Sequence, residues 1–223
     1  MSGEGVIKFH PEHRDTSLAA ATFAPLAAEI VSWRAILRRL GMVGREAGRY
    51  DGFAFGNLSA RLNQGETAAT PSFLITGSQT GGKEGLTLDD FCVVEACDPE
   101  SNRVVSHGPA RPSAESLTHD AVYRLDRKVE WVFHVHSPEL WGRRLELGLP
   151  STASDIAYGT AEMAREVGRL YRRSNLAELR IFAMAGHQDG LVAFGASARD
   201  AGETLIRFLA RSLTTIVLEE ETL

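Results

Sequence analysis

From Phe23 to Leu40 the apolar residues Leu26, Ile30, Trp33, Leu37 and Leu40 recur at spacings of three and four, which predicts an amphipathic helix ended by Gly41. Arg34, Arg38 and Arg39 occupy much of its other face. Gly44 to Gly56 is rich in glycine and charge and reads as a loop. Leu58, Ala60 and Leu62 then alternate with Ser59 and Arg61, the period-two pattern of a strand, entered through Gly56-Asn57. Gln64 to Ser72 turns the chain into a second strand, Phe73–Thr76, and the two could pair as a hairpin. A further strand runs from Phe91 to Ala96 and stops at the turn Asp98–Asn102. Pro112-Ser113 opens a helix to about Leu125, with Ser113 as N-cap and Glu115 in the first turn. Trp131 to His136 is a β-branched and aromatic strand, stopped by Ser137-Pro138, and Pro138–Leu147 reads as a helix. Thr160 to about Arg173 is a helix with the stripe Met163, Val167, Leu170 and Tyr171. Strands at Arg180–Met184 and Leu191–Gly195 precede a last helix from Ser197, striped by Leu205, Phe208, Leu209, Leu213 and Ile216. Residues 1 to about 20 read as a loosely held arm ahead of one domain over 21–223, which ends in the acidic tail Glu219–Leu223. Hairpins and long crossovers both occur. The fold class is therefore α/β, with one mixed, largely antiparallel sheet and helices on both faces.

Composition narrows the classes. The chain has 223 residues, 43% hydrophobic and 24% charged, enough for a full core. Its formal net charge is -5 and no basic stripe interleaved with aromatics is visible, so no nucleic-acid partner is expected. No apolar run approaches the roughly 20 residues that span a bilayer, and Met1–Asp15 holds no signal-peptide core, so no membrane is expected. Cys92 and Cys97 lie at either end of one predicted strand, a poor geometry for pairing, and a cytoplasmic location is the default.

Candidate chemistry centres on the Trp131–His136 strand. His134 and His136 project from one face, about 7 Å apart along the strand, while Val135 points into a core. Two imidazoles so placed can grip a transition metal, and the alternative is two polar residues on a solvated face. Gly77-Ser78-Gln79-Thr80-Gly81-Gly82-Lys83 follows a strand and can wrap N–H groups around an anion, or serve as a surface turn. It lacks the Gly-Lys-Ser/Thr order of a Walker loop. Glu115 shares a helix face with His119, and its plainer reading is an acid favoured by the helix dipole.

Four stretches in this order resemble the class II aldolase/adducin family: Gly56-Asn57-x-Ser59, Pro112-Ser113-Ala114-Glu115 with His119 and Tyr123, His134-x-His136-Ser137-Pro138, and His187 ahead of Gly190 and Gly195. The segment Tyr158–Ala164 is similar too, and the likeness runs from about Leu26 to Thr214. The resemblance implies a three-layer α/β/α fold and a homotetramer with sites at subunit contacts. It implies Zn2+, or another divalent transition metal, on His134, His136 and His187. It makes Glu115 the acid/base. It places a substrate phosphate at Asn57, Ser113 and the Thr76–Gly81 turn, with the anion position at Ser78 or Thr80 according to where a gap is put. His119 is read as orienting a neighbour or capping a core contact. The chain departs from the family pattern at Ala114, where a hydroxyl is usual, and at Gln188-Asp189, where glycine usually follows the histidine directly.

The activity implied is a metal-dependent, aldolase-type lyase. It would act on a small, anionic ketose or sugar acid through a metal-chelated enediolate, with phosphate or carboxylate as the anionic group. The same scaffold serves epimerases, dehydratases and decarboxylases. A non-enzymatic, adducin-like interaction module is a further alternative, although adducin heads lack the histidine set present here.

Overall fold

The computed structural model describes residues 6–62 and 70–220, with side chains as far as residue 214. In chain order the elements are β1 (His10–Arg14), α1 (Ala20–Arg39), β2 (Gly44–Arg45), β3 (Ala54–Phe55), β4 (Asn57–Arg61), β5 (Phe73–Thr76), β6 (Phe91–Asp98), β7 (Arg103–His107), α2 (Ser116–Tyr123), β8 (Trp131–His136), α3 (Pro138–Gly142), α4 (Ala161–Arg173), α5 (Leu176–Leu179), β9 (Ile181–Ala183), β10 (Gly190–Gly195) and α6 (Ala198–Glu220).

Eight strands form one sheet in the order β1-β7-β6-β5-β4-β8-β10-β9, and β2 and β3 form a separate ribbon. The β1–β7 pair is parallel and every other pair in the large sheet is antiparallel. Strand alternation divides the apolar residues between two layers. Leu58, Ala60, Phe133, Val135, Leu191 and Ala193 pack on one side with Ile30 and Leu37 of α1 and Leu205 and Phe208 of α6. Val132, Val192, Phe194, Phe73 and Ile75 pack on the other with Leu117 and Val122 of α2 and Met163, Val167 and Leu170 of α4. The result is the expected α/β/α sandwich. His134 and His136 share the parity of Val132 and so emerge on the α2–α4 side.

Several local readings change. The arm over 1–20 contains β1, hydrogen-bonded along β7, and Phe9 and Leu18 are buried. The side chains of β1 are mostly exposed, so its sequence carries no apolar alternation even though its backbone pairs along β7. β7 was not anticipated and completes a hairpin with β6 across a bulge between Val94 and Ala96. The glycine-rich 44–56 loop contains the β2–β3 ribbon. α2 begins at Ser116, so Glu115 stands just before its first turn, and α3 ends at Gly142. By length and composition α1 is apolar enough to cross a bilayer, contrary to the sequence expectation, yet Ala27, Ile30, Arg34 and Leu37 are buried. The predicted turn over 64–69 and the end of the acidic tail lie outside the described residues.

Candidate metal centre and anion cleft

Sheet register brings the candidate residues together. β8 pairs with β4 on one side, setting Asn57 opposite His134, and with β10 on the other, setting Gly190 opposite His136. The tight Met184–Gly190 turn entering β10 is closed by His187 N–H to the Met184 carbonyl and Gly190 N–H to the His187 carbonyl, both 3.0 Å. A Cβ on residue 190 would lie 3.2 Å from the His187 ring and 3.4 Å from that of His134, so glycine there lets the two rings approach.

The rings of His134, His136 and His187 are 4.7–5.2 Å apart between centroids, all buried. One ligand nitrogen from each lies within 4.8 Å of the others. His134 donates Nδ1–H to the Leu191 carbonyl at 3.1 Å, which leaves its Nε2 as an acceptor. That Nε2 faces His136 Nε2 at 3.2 Å. Two ring nitrogens at this distance need a proton or a cation between them, so the residues present fit a divalent metal with three nitrogen ligands and an open position. Burial, and then the neighbouring His187 and His134, hold the His136 pKa well below its ordinary value, which favours the neutral, ligating form.

Glu115 reaches the cluster from the start of α2. Its Oε1 lies 3.2 Å from His187 Nδ1, and its Oε2 accepts a 2.7 Å hydrogen bond from the Thr118 hydroxyl. Burial pushes its pKa up, but His134, His187 and Thr118 together outweigh this and hold it at about 2. His119 is also buried, and among the described residues its ring nitrogens bond to Asn57 and Ser59, at 2.7 and 2.6 Å. It therefore orients neighbours, as read from the sequence, and belongs to no metal cluster among the described residues.

A cleft beside the cluster is lined by Asn57, Ser78, Gln79, Gly81, Ser113 and Glu115, among others. It encloses about 20 Å³, roughly the room of one water, so a phosphate-sized group would occupy its mouth or widen it. Thr76 and Thr80 do not line it. The Thr76 hydroxyl accepts the Leu58 N–H, and the Thr80 hydroxyl donates to the Gly77 carbonyl at 2.8 Å. Of the two alternatives the structure thus brings Ser78 to the cleft. The loop is braced from below by Arg34, which is only 2% exposed despite its predicted place on the polar face of α1. Its Nη2 donates to the carbonyls of Thr80, Gly81 and Lys83 at 2.9, 2.8 and 2.6 Å. Ala114 packs in the α2-side core and also lines the cleft, where its side chain offers no donor.

Three contacts were absent from the sequence reading, which placed Tyr158 only in a family-like segment. Tyr50 packs its ring 4.6 Å from that of His136 and donates its hydroxyl to Asp189 Oδ2 at 2.8 Å. Arg49 Nη2 donates to the same hydroxyl at 2.8 Å. Tyr158 lies against His187, with centroids 4.4 Å apart. The Gln188-Asp189 departure from the family pattern thus supplies a carboxylate that ties the His187 turn to the 49–55 segment. Its partner is 139 residues away, beyond any local signal.

An α/β/α sandwich thus carries a buried three-histidine cluster, able to hold a divalent metal, beside a carboxylate. The family model for the class II aldolase and adducin N-terminal domain matches residues 45–209, and the chain belongs to this family. Over 124 residues it is 33% identical to the methylthioribulose-1-phosphate dehydratase of Sorangium cellulosum (strain So ce56), a match over 56% of this chain and about half the length (49%) of that protein. Solved structures with the same fold include the L-fuculose-1-phosphate aldolase of Thermus thermophilus (TM-score 0.60, 22% identity, 88% of this chain and 95% of that one). Another is a sugar-phosphate aldolase of Thermotoga maritima (TM-score 0.66, 14% identity, 89% and 96%).

Proposed function

We propose that this chain is a metal-dependent lyase that breaks or forms a bond next to a carbonyl in a small, anionic ketose or sugar acid. The observation that carries the reading is the convergence of His134, His136 and His187 on one point, with the Glu115 carboxylate 3.2 Å from the nearest ring. Held by these three residues, a divalent metal, for which Zn2+ is the proposal, would supply Lewis-acid polarisation of the substrate carbonyl. Glu115 takes or delivers the proton at carbon. Thr118 holds one of its oxygens, leaving Oε1 on the side of the histidines to meet that proton. Tyr50, Phe55 and Tyr158 wall the cluster and limit water there. Asn57, Ser78 and Ser113 receive the anionic group in the cleft.

Two reactions use this machinery. Aldol cleavage splits a C–C bond and is the leading reading. Dehydration expels water from the carbon beyond the one deprotonated, and the similarity to a methylthioribulose-1-phosphate dehydratase favours it as the second. The test is metal analysis of the purified protein, followed by incubation of the metal-loaded enzyme with phosphorylated and unphosphorylated ketoses. Aldehyde release marks an aldolase, and loss of water without fragmentation marks a dehydratase. Full activity after complete removal of divalent metal would overturn both.

A further inference from the structure

A line of buried polar groups runs from α2 to the cleft. Tyr123 OH lies 2.7 Å from Ser59 Oγ, Ser59 Oγ lies 2.6 Å from His119 Nδ1, and His119 Nε2 lies 2.7 Å from Asn57 Oδ1. All four side chains are buried, and Asn57 alone of them lines the cleft.

The direction of the line follows from counting hydrogens. A phenol must place one O–H hydrogen, and among the described residues the only partner of the Tyr123 hydroxyl is Ser59 Oγ. Ser59 therefore accepts from Tyr123 and donates its own hydrogen to His119 Nδ1. A neutral imidazole that accepts at Nδ1 carries its proton on Nε2, and that N–H donates to Asn57. Only the carboxamide oxygen of Asn57 can accept it. Reversed, the line would have Ser59 donating to Tyr123, and the phenolic hydrogen would be buried without an acceptor, a costly arrangement. Burial holds the His119 pKa down to about 3, so the ring stays neutral at ordinary pH.

We propose that Tyr123, Ser59 and His119 form a one-way hydrogen-bond relay that fixes the Asn57 carboxamide with its oxygen inward and its NH2 toward the cleft, so that this wall presents donors only and selects an acceptor-only anionic group. The relay rests on the anion-cleft reading above and makes His119 a positioning residue. Without that inward donor the carboxamide oxygen would be left buried and unpaired, which drives it to turn toward the cleft, where it repels an anion. The same wall discriminates against a neutral hydroxyl, which gains more from a mixed donor and acceptor surface.

Two measurements test this. Long-range 15N–1H spectra of the uniformly labelled, full-length protein at neutral pH should show His119 as the Nε2–H tautomer, and an Nδ1–H tautomer would overturn the relay. Calorimetric titration with inorganic phosphate then compares the wild type with His119→Gln, which retains a donor toward Asn57, and His119→Phe, which does not. The loss of one oriented donor to a charged group should weaken phosphate binding by about ten- to a hundredfold in His119→Phe, while His119→Gln stays within about threefold of wild type. Equal affinity in all three overturns the relay while leaving the anion cleft standing. Absence of phosphate binding in the wild type, with the Nε2–H tautomer present, overturns the cleft reading and the proposed selectivity with it. If His119→Phe does not fold, Ser59→Ala replaces it: without the Ser59 donor the tautomer should become mixed and phosphate affinity should fall, and an unchanged tautomer counts against the relay.

Discussion

Asn57 pairs with His134 across the β4–β8 ladder, so a residue lining the cleft and a residue of the histidine cluster occupy one rung of the sheet. Both side chains emerge on the α2 side. A substrate anchored at Asn57, as proposed, would therefore hold its nearer atoms beside His134. The spacing is fixed by backbone hydrogen bonds in the middle of an eight-stranded sheet, the part of a fold least free to move.

Glu115 should be separable from folding and metal binding. Glu115→Gln keeps the shape and can still accept from Thr118, but it cannot carry a proton to or from carbon. Turnover should fall by roughly 10²–10⁴. Thermal unfolding and metal content should remain near wild type, as checked by circular dichroism and elemental analysis. Wild-type turnover would reduce Glu115 to a structural acid.

His187 is the proposed ligand delivered by a turn rather than by a strand. His187→Ala should lower the metal content of the purified protein to well below one equivalent, because two histidines alone make a weak site. Equilibrium dialysis against a chelator measures the affinity directly. Retention of a full equivalent would exclude His187 from the ligand set.

Acid stability should carry the signature of His119. Its folded pKa, about 3, lies below the ordinary histidine value of about 6.5, so the unfolded chain binds the extra proton first. Stability from this residue is complete above about pH 6.5 and is lost as pH falls toward about 3, by about 1.4 kcal/mol per pH unit. Asp120 works in the opposite sense, because burial lifts its folded pKa to about 6 against the pull of Arg124. The difference between wild type and His119→Gln isolates the histidine. Urea unfolding at about pH 5 and about pH 7, on either side of the unfolded histidine pKa, should show a smaller loss of stability on acidification in the variant. Parallel curves would mean that His119 titrates normally.

Tyr50 ties the 49–55 segment to the His187 turn through Asp189. Tyr50→Phe keeps the ring beside His136 and leaves the Asp189 carboxylate without that donor. Unfolding free energy should fall by about 1–3 kcal/mol, the cost of a buried partner lost, and chelator extraction of metal should speed up. An unchanged extraction rate would confine Tyr50 to packing.

A homotetramer is the expected assembly, since closed symmetry is the rule for oligomers and the family resemblance implies sites at subunit contacts. Light scattering at micromolar concentration should give about four times the 24.3 kDa chain mass. A monomer would count directly against it.

Alternation and period alone determined much of this molecule. Leu58, Ala60 and Leu62 against Ser59, and Val135 against His134 and His136, sort correctly between the two layers, because a strand's side-chain period leaves no third choice. The three histidines were also legible, since the H-x-H spacing is local and the third followed from the resemblance. Other features waited on tertiary structure. β1 is nearly all polar and is held by backbone pairing with β7, which no side-chain pattern reports. Arg34 reads as solvent-facing, yet three loop carbonyls make it a buried brace, because a guanidinium can enter a core wherever enough acceptors surround it. The Tyr50–Asp189 tie and the Tyr123–Ser59–His119–Asn57 line join residues 60 to 139 positions apart. Residue identity names the donors and acceptors. Only the packed sheet decides which of them meet, because hydrogen bonds of this kind are set by distances of a few tenths of an ångström that no chain spacing encodes.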